Sequence, residues 1–154
     1  MNKPIRIYAD TSGFGGFFDE EFSEPSRLFF QQIRSGRFFL VTSDVVNKEL
    51  HAAPLQVQEL FQEILPQSEI AEITAETLTL QQAYIDTGIL PRKCYNDALH
   101  VALSTTSNCE GIISWNFSHI VHFQKIPLYN AVNIIHGYHT IFIHSPLEVI
   151  RYED

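Results

Sequence analysis

The stretch IRIYADTSG, Ile5 to Gly13, decides the fold. Ile5 to Ala9 is short and apolar, and Asp10-Thr11-Ser12-Gly13 breaks it with residues that favour turns and helix caps. It reads as a strand whose carboxyl end opens toward a helix. Three more stretches set a carboxylate or its amide analogue beside an apolar run: VVNKEL (Val45–Leu50), NDALHVA (Asn96–Ala102) and IISWNF (Ile112–Phe117). If these runs share one core, Asp10, Glu49, Asp97 and Asn116 meet at its rim. Carboxylates held close together repel and desolvate one another, so such a cluster implies a hard divalent cation or shared protons. The metal is the reading adopted here.

Working outward, strand and helix patterns alternate. Helical spacing covers Glu24 to Ser35, with Pro25 in the first turn and Gly36 as the stop. Phe38 to Thr42 is a buried-type strand, and Ser43 or Asp44 can cap the helix that carries Glu49. Pro54 and Pro66 bracket a helix over Leu55 to Leu65. A short strand follows at Glu69 to Ile73, then a helix from Thr74 to Thr87 that stops at Gly88. Asn96 to Thr105 is a helix with a wide apolar face, Gly111 to Trp115 a strand, and Ala131 to Ile135 another strand. Ser145 to Ile150 reads as a last helical turn with Pro146 at its start. Such alternation with strands apolar on both sides predicts a three-layer α/β/α fold, a mainly parallel sheet of four to five strands in a single domain over residues 1–154. In open sheets of this kind the site lies beyond the carboxyl ends of the strands.

The chain's 154 residues suffice for a core without disulfides, and its 45% apolar content fits a globular protein. No apolar run approaches the roughly 20 residues that cross a bilayer, and no leader pattern is visible, so a cytoplasmic protein without membrane attachment is expected. Cys94 and Cys109 are too isolated for a disulfide framework or a Cys-rich zinc site and read as buried free thiols. The seven histidines lack zinc-ligand spacing on one helix. A net charge of −8 argues against broad adhesion to nucleic acid, so a cation or a basic partner must offset it.

In order, YADTSG after an apolar strand, the Glu of SDVVNKEL, the NDALHVA helix and a strand running into SWNFSHI span nearly the whole chain. On these motifs the chain resembles the PIN-domain ribonucleases, and most closely the small bacterial ones of VapC type. The resemblance implies a PIN-like fold and an Mg²⁺- or Mn²⁺-dependent endoribonuclease, the toxin of a type II toxin–antitoxin pair. It implies RNA as substrate, an antitoxin protein as partner and a homodimer. The family's acidic positions fall on Asp10, Glu49 and Asp97, and its fourth, commonly Asp, falls on Asn116. An amide oxygen can ligate Mg²⁺ but brings no charge, so metal affinity should be lower than with four carboxylates.

Phosphodiester hydrolysis needs water to attack an anionic phosphorus, and a divalent cation lowers that water's pKa and offsets transition-state charge. Mg²⁺ takes oxygen ligands and keeps several waters, which suits a few carboxylates around an open site. Asp10 and Asp97 are assigned to direct coordination, Glu49 to binding through water, and Asn116 to positioning the metal or a water. Thr11 or Ser12 can add a hydroxyl, and Lys48, Arg92 and Lys93 can contact phosphates.

Each position also has a plainer reading. Asp10 can be an Asx-turn or cap, Asp97 a helix cap, Glu49 a solvated residue paired with a lysine, and Asn116 a turn residue. His100 reads as packed in the interior and His119 as hydrogen-bonded near the strand end. The aromatics of Phe14 to Phe22, with Phe29 and Phe30, are either core or a dimer interface. Two other functions compete with the nuclease: a catalytically weakened PIN-like module that binds RNA or protein, and a phosphatase with an aspartyl nucleophile. The second lacks its required Asp two positions after Asp10.

Overall fold

A computed structural model describes residues 3–152. Five strands form one all-parallel sheet in the order β3-β2-β1-β4-β5: β1 (Ile5–Ala9), β2 (Phe38–Ser43), β3 (Glu69–Ala71), β4 (Gly111–Ile113) and β5 (Phe142–His144). The first three strands step outward in one direction from β1. The chain then returns across the sheet to place β4 on the other side of β1 and steps outward again to β5. Parallel crossovers are right-handed, so this reversal puts the two sets of connecting helices on opposite faces. One set is α1 (Thr11–Gly15), α2 (Ser23–Arg34), α3 (Asp44–Leu50) and α4 (Leu55–Ile64), joined by the late α8 (Pro146–Val149). The other is α5 (Ala75–Asp86), α6 (Tyr95–Thr106) and α7 (Ile126–Ile135).

β1 shows the consequence for sequence. Ala9 faces α1, where its Cβ lies 3.5 Å from the position a Cβ on Gly13 would take, while Tyr8 reaches His100 on α6. Both are fully buried, which is why the strand is apolar on both sides over Ile7 to Ala9. A single apolar cluster runs through both layers, from Phe14, Phe29 and Phe30 to Leu80, Leu103 and Tyr129.

Most element boundaries follow the sequence reading to within a residue or two. Thr74 caps α5 in a reciprocal arrangement with Thr77. One expectation is overturned: Ala131 to Ile135 is not a strand but the last half of α7. Its β-branched composition imitates a strand, yet Pro127 starts a helix, and Tyr129, Val132 and Asn133 turn inward at helical spacing while Ile134 and Ile135 face solvent. Buried Asn133 is satisfied by the Tyr84 hydroxyl and by Thr105 Oγ1. The fifth strand comes instead from Phe142–His144, too short to show a period. Its ring at Phe142 covers Gly111 so closely that any Cβ there would collide with it.

Candidate active site

The strand order reverses between β1 and β4, and the carboxyl ends of these strands are the usual place for a site in such sheets. Asp10 ends β1 there and caps α1, with only 4% of its surface exposed. Its Oδ1 accepts the Ser12 hydroxyl at 2.7 Å and the Gly13 amide at 3.2 Å, and its Oδ2 accepts the Ser114 hydroxyl at 2.8 Å. The serines are held in turn: Ser12 Oγ accepts the Trp115 amide at 2.9 Å, and Ser114 Oγ the Asn116 amide at 2.9 Å. Burial raises the Asp10 carboxyl above its ordinary range, opposed by His100 and by these hydrogen bonds. The cap reading of Asp10 therefore holds, and the cap is buried.

Glu49, on α3, is half-buried. Its Oε1 accepts the Thr11 hydroxyl at 2.8 Å and faces His100 Nε2 at 2.6 Å. Burial pushes its pKa up, but the hydrogen bond and charge of His100, with Thr11, outweigh that and hold it below the ordinary value. His100 Nδ1 lies 2.7 Å from the Tyr8 hydroxyl, which lies 2.8 Å from Ser43 Oγ. The protons can run in one direction: Ser43 to Tyr8, Tyr8 to Nδ1, and Nε2–H to Glu49. Burial drives the Tyr8 phenol well above its usual pKa, so it stays a donor. His100 is thus interior, as expected, and it also orients a carboxylate.

Asp97 sits in the first turn of α6, partly exposed, and its Oδ2 lies 3.0 Å from His119 Nδ1. Asn116 Oδ1 accepts the His119 amide at 3.0 Å, which is turn chemistry. A hydrogen-bonded path therefore runs from Asp10 through Ser114 and Asn116 to His119, whose ring stands 3.0 Å from Asp97. Glu49 joins it through Thr11, the neighbour of Asp10. The carboxylates do not crowd together, however. Among the described residues, the His, Cys, Asp and Glu ligand atoms that gather in a group of three, all within 4.8 Å, are those of Cys94, Asp97 and His119, and neither Asp10 nor Glu49 belongs to it.

No family model matches the chain, and no curated protein matches it. Among solved structures it is similar to a chain in the crystal structure of VapBC2 from Rickettsia felis bound to a DNA fragment from their promoter. The identity is 14% and the TM-score 0.58, over 80% of this chain and 94% of that one. The fold is PIN-like.

Within this PIN-like fold the remaining sequence candidates separate. Thr11 and Ser12 spend their hydroxyls on Glu49 and Asp10, so they position carboxylates. Lys48 is exposed and pairs with Asp44 at 3.1 Å one turn away. Arg92 and Lys93 are exposed in the turn before α6 and make no ion pair among the described residues. Sequence reasoning missed Ser114, whose only signal was its place at the end of β4, two residues before Asn116. It also missed the meeting of Cys94 with His119, which lie 25 residues apart. Among the described residues, no helix is long and apolar enough to cross a membrane.

Proposed function

We propose that this protein is a metal-dependent ribonuclease that hydrolyses RNA phosphodiester bonds with Mg²⁺ or Mn²⁺. The observation that carries the reading is Asp10: a buried carboxylate at the strand-order reversal, bonded to hydroxyl and amide donors and, among the described residues, to no lysine or arginine. Its charge lacks a fixed protein counter-charge, and the donor set around it offers oxygens only, which fits Mg²⁺ or Mn²⁺. Asp10 and Asp97 would hold the ion, with Glu49 and Asn116 acting on its water shell. When bound, the ion would lower the pKa of the attacking water and offset charge on the pentavalent phosphorus. Thr11 and His100 fix Glu49 through Oε1 and leave Oε2 to orient that water. Arg92 and Lys93 would contact flanking phosphates. The likeness to a VapBC2 chain supports a toxin role opposite an antitoxin protein, in the cytoplasm.

The test is cleavage of single-stranded RNA in Mg²⁺ or Mn²⁺. Asp10→Asn and Asp97→Asn should abolish it without unfolding the protein. Either variant cutting at the wild-type rate under limiting Mg²⁺ overturns the assignment.

A second reading, a catalytically weakened module that binds RNA or protein, is favoured by the spread of the carboxylates and by the uncharged Asn116. Calorimetry separates the two. Absence of Mg²⁺ and Mn²⁺ binding heat supports the module.

A further inference from the structure

Beside the proposed nuclease centre, a buried thiol, an imidazole and a carboxylate converge. Cys94 closes the short turn Arg92–Cys94 that leads into α6 and is 7% exposed, and Asp97 stands one turn further along. His119 comes from the loop after β4. His119 Nδ1 is 3.0 Å from Asp97 Oδ2 and 3.8 Å from Cys94 Sγ, and one donor atom from each of the three residues lies within 4.8 Å of the others. A tetrahedral ion with a metal–sulfur bond of about 2.3 Å and metal–nitrogen or metal–oxygen bonds of about 2.0 Å separates its ligand atoms by about 3.3–3.6 Å. The Asp97–His119 spacing falls a few tenths of an ångström short of this, Cys94 Sγ stands 3.6 Å from His119 Nε2 and 3.8 Å from Nδ1, and a turn of the His119 ring would bring one nitrogen onto a shared ion.

The loop bearing His119 is fixed independently of its side chain. Its amide donates to Asn116 Oδ1 at 3.0 Å, and its carbonyl accepts the hydroxyl of buried Tyr129 at 2.6 Å. Cys94 is likewise held by its amide, which donates to the Pro91 carbonyl at 2.9 Å. Two of the three ligands thus stand on pinned backbone, and Asp97 and His119 keep enough exposure to leave a coordination position open to water.

We propose that Cys94, Asp97 and His119 form a binding site for a thiophilic divalent cation of the zinc type, with water as the fourth ligand. Sulfur and imidazole select Zn²⁺ or Co²⁺ over Mg²⁺, so this site differs in chemistry from the oxygen-only surroundings of Asp10, and Asp97 is the carboxylate the two sites would share. Coordination takes Cys94 as the thiolate and releases its proton to solvent.

Cobalt is the probe. Metal-free protein titrated with Co²⁺ should develop near-ultraviolet absorption from thiolate-to-cobalt charge transfer, saturating at one equivalent and bleached by Zn²⁺. Cys94→Ser should lose the band and bind Zn²⁺ at least about tenfold more weakly. Cys109→Ser should keep both, because Cys109 is buried away from the cluster and its thiol is pushed up to about 11 by burial. Zn²⁺ should also raise the melting temperature of the wild type and not that of Cys94→Ser, a readout that holds if the serine variant is itself less stable. No band in the wild type, or a band that survives in Cys94→Ser, overturns the site and leaves Asp97 and His119 as a close charge pair only. The readout requires no RNA cleavage, so a failed nuclease assay and a failed cobalt titration are separate results.

Discussion

Replacing Asp10 by Ala and by Asn separates what its oxygens accept from what its charge does. Alanine removes the acceptor of three donors: the Ser12 and Ser114 hydroxyls and the Gly13 amide. The amide keeps a second bond to the Asp10 carbonyl at 3.1 Å, so its loss is that of a helix cap, about 1 kcal/mol. Ser12 and Ser114 lie 3.2 Å apart and can satisfy one hydroxyl between them, leaving one buried donor orphaned at about 1–3 kcal/mol. The sum is roughly 2–4 kcal/mol, a fall in melting temperature of about 5–15 °C for a chain of this size. Asparagine can keep every bond: its oxygen accepts from Ser12 and Gly13, and its amide donates to Ser114 Oγ, which turns its own proton to Ser12. Metal-free Asp10→Asn should therefore melt at or above the wild type near neutral pH. The pH trend follows from the raised carboxyl. A folded pKa above the ordinary 3.8 contributes stability that is full below that value and is lost as pH rises through the folded one. Lowering the pH from neutral should thus shift the comparison toward the wild type. Calorimetric melts in chelator across the acid range measure all of this. Asp10→Asn melting as low as Asp10→Ala would refute the reasoning, because it would place the cost in the lost carboxylate and not in the lost acceptor.

Glu49 should behave with the opposite sign. Its lowered pKa gives stability that is present above the ordinary 4.5 and is lost as pH falls through the folded value, so any wild-type advantage over Glu49→Gln in chelator melts should fade in acid; an advantage independent of pH contradicts it. Asn116→Asp keeps an acceptor for the His119 amide and adds a charge, so it should tighten Mg²⁺ binding in calorimetry and steepen the dependence of melting on Mg²⁺, and unchanged affinity would mean that Asn116 acts in the turn alone. Phe17 and Phe18 are partly buried, 4.8 Å apart between ring centroids, with Phe17 edge-on to Phe30. Phe17→Ser and Phe18→Ser should each lower melting by about 4–8 °C through lost packing, whereas loss of a dimer by light scattering at unchanged melting would make these rings an interface.

The sequence disclosed the layers because β1 and β2 are buried on both faces over most of their length, and a mainly apolar run without alternation is the pattern such strands show. The cap position of Asp10 and the helix position of Glu49 were legible because a cap and a helix turn carry local signals. α7 was misread since its buried side is partly polar, with Asn133 inside and Ile134 and Ile135 outside, the reverse of what composition suggests. Phe14, Phe29 and Phe30 are core, which a cluster of aromatics could not by itself distinguish from an interface. The pairings of Glu49 with His100, Asp10 with Ser114 and Cys94 with His119 were illegible for a common reason. Each joins segments whose meeting depends on strand order, and no local pattern encodes that order.

The bond from Ser114 to Asp10 crosses the seam between the two halves of the sheet. β1 and β4 are in register over three residue pairs, Ile7 to Ala9 against Gly111 to Ile113, and the side-chain clasp lies just beyond the last of them. A group that engages both strand ends there rivets the half made of β1, β2 and β3 to the half made of β4 and β5. Amide exchange along Gly111 to Ile113 should then slow when a ligand engages both strand ends, so the seam itself reports occupancy with no need for a substrate.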